Sequence, residues 1–203
     1  MTEADPDLLA RAQLRERQGA GARYDAPNAP ADDLLLARRG TAYFARQLNG
    51  LTDSELDAQS AVAGQSRRHI VAEVAFQARW LARLAAAARL GFEVETIVEP
   101  ELFIEDVKLT ATLPPHALRY LFQHSAVHLD VEWRDLPREG WSRTIISLDG
   151  RAVPINATPL MRAQEIWMAA TTLGGHWRLS DIPAVIIKHS DIADLRGSAA
   201  SGA

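Results

Sequence analysis

The sequence predicts an all-α protein, a bundle of four main helices with one long crossover and a small β-hairpin before the last bundle helix. Three observations point there. Apolar residues recur at helical spacing in four segments, Leu34 to Leu48, Ile70 to Ala85, Leu118 to Leu129 and Leu160 to Ala170. Each segment is bounded by residues that start or stop helices. A single stretch, from Thr144 to Ile155, alternates like a strand pair, and it centres on Asp149-Gly150, which supplies the positive φ angles of a two-residue turn.

Taken in order, residues 6–18 have the pattern of a short helix, but Gly19-Ala20-Gly21 and then Pro27, Asn28 and Pro30 interrupt it. Residues 1–31 therefore read as an N-terminal arm, residues 32–196 as the bundle domain and residues 197–203 as a frayed tail. Asp32 or Asp33 is expected to cap the first bundle helix, which Asn49-Gly50 stops. Thr52 and Glu55 have capping-box spacing and should open a turn of helix to about Ala58. Ser66 is the expected N-cap of the second bundle helix, which ends at Gly91.

Residues 92–113 mix Val94, Ile97 and Val98 with acidic residues and read as an extended crossover, with room for a short helix. Pro114-Pro115 then opens the third helix, since proline is tolerated where an N–H would be unpaired anyway. After the hairpin, Asn156 or Thr158 is the expected cap of the fourth helix, which Gly174-Gly175 ends. A last short helix is expected within Ile182 to Leu195.

Composition narrows the function. The 203 residues suit one domain with an arm, with 47% hydrophobic and 24% charged residues as in ordinary globular proteins. A net charge of −4 offers no broad cationic surface, so a nucleic-acid partner is not expected. No cysteine is present, which removes disulfides, thiolate ligands and a cysteine nucleophile together. Thiol chemistry would need an external thiol. The acidic start lacks a signal-peptide pattern and no run approaches the roughly 20 apolar residues of a membrane span, so the expectation is a cytoplasmic protein without a membrane partner.

The residues that carry chemistry sit in two helical fragments, Ser66-Arg67-Arg68-His69-Ile70-Val71-Ala72-Glu73 and Met161-Arg162-Ala163-Gln164-Glu165-Ile166-Trp167. His69 and Glu73 are one turn apart on one face. Together with Glu165 they would make a one-histidine, two-carboxylate site, which favours manganese or iron over zinc. Against that stands a plain structural reading, in which Glu165 pairs with Arg162 and Glu73 with a neighbouring arginine. His124 and His128 also have the spacing of a helical ligand pair, but no metalloprotease-like carboxylate motif accompanies them, and packing or an interface is their expected role. Trp80, Trp141, Trp167 and Trp177 read as core or pocket wall.

Those two fragments, with Arg38-Arg39-Gly40-Thr41 and the stretches Phe122 to Leu129 and Val131 to Leu136, resemble the N-terminal domain of maleylpyruvate isomerases among the DinB-like four-helix bundles. The resemblance implies a divalent metal, usually zinc, held by a histidine of the second helix and a Glu-x-x-x-His pair of the fourth. His69 and Glu165 match the first two ligands, but Ala169 stands where the second histidine belongs. Glu73 and Thr172 also replace side chains common in the family. The metal expectation therefore falls on His69, Glu73 and Glu165.

By the same resemblance the activity is a thiol-assisted cis–trans isomerisation of a small unsaturated keto dicarboxylate. The thiol is a low-molecular-weight one, mycothiol or glutathione, and Arg162 with Arg68 orients the substrate carboxylates through paired hydrogen bonds. Two other readings stay open at this point. One is a non-catalytic DinB-like protein that has lost the metal and binds a small carboxylate or a protein partner; the other is a metal-dependent thiol transferase. The oligomeric state, a homodimer included, is open too.

Overall fold

The first long helix, α1 (Ala31–Asn49), buries Leu34, Ala37, Gly40, Phe44 and Leu48, a stripe at three- and four-residue spacing. The computed structural model describes residues 25–91, 100–146, 152–174 and 177–188. Helix α1 begins earlier than expected. Pro30 is its N-cap and makes no side-chain cap, while Asp32 and Asp33 lie in the first turn, where carboxylates favour the positive end of the helix dipole.

The capping box at Thr52 and Glu55 forms in both halves and opens α2 (Asp53–Leu56). The Glu55 amide donates to Thr52 Oγ1 at 3.3 Å, and the Thr52 amide donates to Glu55 Oε2 at 2.7 Å. Helix α3 (Arg67–Leu90) is capped by Ser66, whose Oγ accepts from the His69 amide at 3.4 Å, and it stops at Gly91 in the left-handed region, φ 82°. The crossover is more ordered than its sequence suggested. It contains α4 (Pro100–Thr110), which lays Val107 and Phe103 on α3, with Phe103 edge-on to Phe76. Burial of these apolar side chains overrides the neighbouring Glu105 and Asp106, which stay in water.

Helix α5 (Pro115–Asp135) opens at proline as expected and runs two turns past Leu129, and α6 (Arg138–Trp141) follows. Strands β1 (Thr144–Ile146) and β2 (Ala152–Pro154) pair antiparallel, Ile145 opposite Val153. The Asp149-Gly150 turn expected between them lies outside the described residues, as do most of the expected arm and tail. Helix α7 (Thr158–Thr172) takes neither expected cap. Ala157 is its N-cap, and the Thr158 hydroxyl instead donates to Ile155 O at 2.7 Å and accepts from Trp133 Nε1 at 3.3 Å. Gly174 ends it at φ 79°, and α8 (Ala184–Lys188) seats Ile186 on the core.

The four long helices pack as two close pairs, α1 with α7 and α3 with α5. Gly40 brings the first pair together, since an added Cβ there would fall 2.6 Å from Ile166 Cγ2. Trp167 Nε1 donates to Leu36 O across the same contact at 3.1 Å. The pairs meet more sparsely, leaving one seam between α3 and α7 and another between α1 and α5. Those seams hold the polar chemistry.

Candidate functional site

Capping by Ser66 fixes where α3 begins and so places His69 in its first turn, with Glu73 one turn further along the same face. Glu165 comes from α7 across the seam. The two carboxyl groups interact. Burial holds Glu165 above the ordinary carboxylate range, the neighbouring Glu73 charge pushes it further up, and Arg162 partly offsets both. Burial alone raises Glu73. His69 moves the other way, lowered by burial and then by the Lys108 charge, so it is a neutral imidazole at pH 7. The seam thus gathers an imidazole held toward its neutral form and two carboxyl groups held toward their protonated forms.

Arg162 is 1% exposed. Its Nη1 donates to Val74 O at 2.8 Å and to Gln77 Oε1 at 2.7 Å, both on α3. Burial lowers its pKa to about 10, which the Glu165 charge partly counters, and it remains a cation at pH 7. It is thus built into the core, and at the seam its charge acts on Glu165. Arg68 is also committed elsewhere. Its Nε binds Asp57 and its Nη1 binds Leu113 O, fastening the start of α3 to α2 and to the end of the crossover. Arg67 is a tie of the same kind, donating to Glu55 O at 3.1 Å and Gly174 O at 3.0 Å.

The expected metal centre does not form from these side chains. Among the described residues no three of His, Cys, Asp and Glu converge closely enough to hold a metal ion. The physical reasons are visible. Glu165 faces the Glu73 and Arg162 charges, His69 has Lys108 as its charged neighbour, and Ala169, one turn beyond Glu165, has no lone pair to offer. A cation beside Arg162 would also meet a buried like charge. The donor set therefore does not fit a zinc, manganese or iron site of the kind expected.

His124 and His128 lie on the exposed face of α5 with ring centroids 6.4 Å apart, His124 against Tyr120 and His128 Nε2 at 3.5 Å from Glu132 Oε1. Glu132 is shared with Arg89 Nε at 3.1 Å, which makes it an ion-pair partner. Sequence reading missed Gln77, which orients Arg162. The signal was present: residues 69, 73 and 77 form one polar row at four-residue spacing on an otherwise apolar face.

The profile of the mycothiol maleylpyruvate isomerase N-terminal domain family matches residues 37–170. Two solved structures are similar over most of the chain, a mycothiol-dependent maleylpyruvate isomerase and its histidine-to-alanine mutant. Each shares 38% sequence identity with a TM-score of 0.74, and the alignment covers 78% of this chain and 66% of the other. The matched region thus spans just under two thirds of that enzyme's length. No curated protein sequence matches.

Proposed function

The chain belongs to the mycothiol maleylpyruvate isomerase N-terminal domain family, and on that premise we propose that it is a thiol-assisted cis–trans isomerase of a small unsaturated keto dicarboxylate. The observation that carries the reading is the 38% identity, over 78% of the chain, to a mycothiol-dependent maleylpyruvate isomerase. The proton-handling groups at the α3–α7 seam support it. The chain contains no cysteine, so the thiol comes from a low-molecular-weight compound such as mycothiol or glutathione.

The reaction follows from ordinary conjugate addition. Neutral His69 takes the thiol proton and the thiolate adds to the conjugated double bond, which leaves a single bond and an enolate on the ketone oxygen. Rotation about that bond and expulsion of the thiolate restore the alkene as its trans isomer, and His69 returns the proton to sulfur. Glu73, whose carboxyl burial shifts toward its protonated form, shuttles a proton to and from the enolate oxygen. The Arg162 charge draws Glu165 toward its ionised form. No step needs a metal, consistent with a donor set that does not fit one.

A second reading has its own observation. Ala169 removes a ligand of the family motif and no three-donor group replaces it among the described residues, which favours a bundle that binds a carboxylate without converting it. One experiment separates the two: the purified chain is incubated with maleylpyruvate and mycothiol or glutathione, and the trans product is followed by proton NMR. Turnover that needs the thiol and falls at least tenfold in His69→Ala supports the isomerase. Absence of turnover with either thiol, while substrate still binds, supports the second reading.

A further inference from the structure

We propose that the cavity between α1 and α5, on the seam opposite Glu73 and Glu165, binds a small apolar carboxylate. The cavity has a volume of about 350 Å³, walled by Ala37, Thr41, Ala126, Leu129 and Trp133. Its size lies near the lower end of the roughly 300–1,000 Å³ of small-molecule sites, which suits a ligand with one ring or a short chain. It begins one turn along both helices from Phe44 and Phe122, where α1 and α5 touch with ring centroids 5.0 Å apart.

Charge decides what enters. Three arginines line the cavity with one acid, Asp130. Arg38 is spent: its Nε binds Asp130 at 2.6 Å and its Nη1 and Nη2 bind Asp25 at 2.7 and 2.8 Å. That clamp also neutralises Asp130, so the acid does not turn an anion away. Arg134, partly exposed, binds Asp135 through Nε at 3.1 Å. It lines the cavity with a single nitrogen engaged in that pair, whereas Arg38 is held through three.

Arg162 reaches this cavity from α7. Among the described residues its Nε and Nη2 have no hydrogen-bond partner, although both are buried. Its charged neighbour Glu165 is itself held toward its neutral form by burial. A desolvated cation with so little compensation sets a positive charge at the wall of the apolar space that it lines. An anion with an apolar body meets both conditions, hydrophobic walls and a positive floor; a neutral molecule of the same shape meets only the first.

The test uses the intact chain and benzoate, with benzamide as the uncharged isostere, in calorimetric titrations and with the Trp133 indole N–H followed by NMR. Benzoate should bind saturably, at least tenfold more tightly than benzamide, and should shift the Trp133 resonance. Arg162 is part of the core, so Arg134→Ala and the cavity-filling Ala126→Leu carry the mutational arm. The first should weaken benzoate at least tenfold and the second should abolish the Trp133 shift, both with unchanged circular dichroism. Equal affinity for benzamide, indifference to both variants, or no saturable binding at about 10 mM overturns the proposal. None of these readings depends on isomerase activity.

Discussion

Replacing Ala169 by histidine tests the geometry of the α3–α7 seam directly. Position 169 lies one turn beyond Glu165 on the same face of α7, and its side chain is 6% exposed. An imidazole placed in that packed setting costs about 1–3 kcal/mol of stability when no metal is present. At roughly 2–4 °C per kcal/mol for a chain of this size, the metal-free variant melts about 2–12 °C below the parent. It also supplies the third donor, with Glu165 on its own helix and His69 across the seam. Zinc at a hundredfold excess over its dissociation constant then returns about 2.7 kcal/mol, or roughly 5–11 °C. Thermal unfolding with and without zinc, after chelator treatment and paired with elemental analysis, reads both numbers. The parent should show no zinc-dependent shift and no stoichiometric zinc. Two results refute the reasoning: a parent that zinc stabilises as much as the variant, which means the native donors suffice, or a variant that ignores zinc, which means the two helix faces do not meet as described.

Other perturbations address neighbouring parts of the structure. Gly40→Ala should lose about 1–3 kcal/mol, because its Cβ falls 2.6 Å from Ile166 Cγ2 and 2.8 Å from Trp167 Nε1, a clash larger than the gain in helix propensity of about 1 kcal/mol; a variant as stable as the parent in thermal unfolding would mean the helices approach less closely. Thr52→Ala should cost about 0.5–2 kcal/mol in urea unfolding through loss of the capping box, and an unchanged midpoint would show that α2 does not depend on it. Glu73→Gln should change how stability depends on pH. Burial raises the folded pKa of Glu73 above 4.5, so the folded state holds its proton more tightly than the unfolded state. Its effect is nil below 4.5, and stability is lost as pH rises from there through the folded value. The glutamine variant lacks that loss, so urea unfolding between pH 4 and 8 should show the variant gaining on the parent as pH rises; a gap independent of pH removes Glu73 from the dry setting assigned to it.

The helices were legible in the sequence because their signals are local. Ser66, Gly91 and the Thr52–Glu55 box act through backbone groups within a few residues, and all three do in the structure what their types dictate. The caps that were misread, Asp32 or Asp33 and Asn156 or Thr158, failed for a partly nonlocal reason in one case: the Thr158 hydroxyl donates to Ile155 O and accepts from Trp133 Nε1 of another helix instead. Helix α4 was legible only as room for a short helix within the crossover. Its acidic residues mask a narrow apolar stripe whose partner, Phe76, lies in another helix. The arginines show the same limit most sharply, since sequence places a guanidinium on a helix but says nothing of its countercharge. Arg68 finds Asp57 and Leu113 O, and Arg162 finds Val74 O and Gln77, so neither is left at the solvent side of the seam.

One substitution in the motif links these observations. With histidine at position 169, a metal could draw His69 and Glu165 together and hold the Arg162 cation at a distance. With alanine there, the Arg162 charge acts on Glu165, and α3 partners the buried arginine through Val74 O and Gln77. The same guanidinium lines the cavity on the other side of the bundle. A side chain placed between two seams couples them: an anion that compensates Arg162 from the α1–α5 side weakens its hold on Glu165 and shifts the protonation of the Glu73–Glu165 pair. Titrating those two carboxyl groups by NMR with and without benzoate measures that coupling. Raised carboxyl pKa values in the presence of benzoate are the expected sign, and identical titration curves would show that the seams act independently.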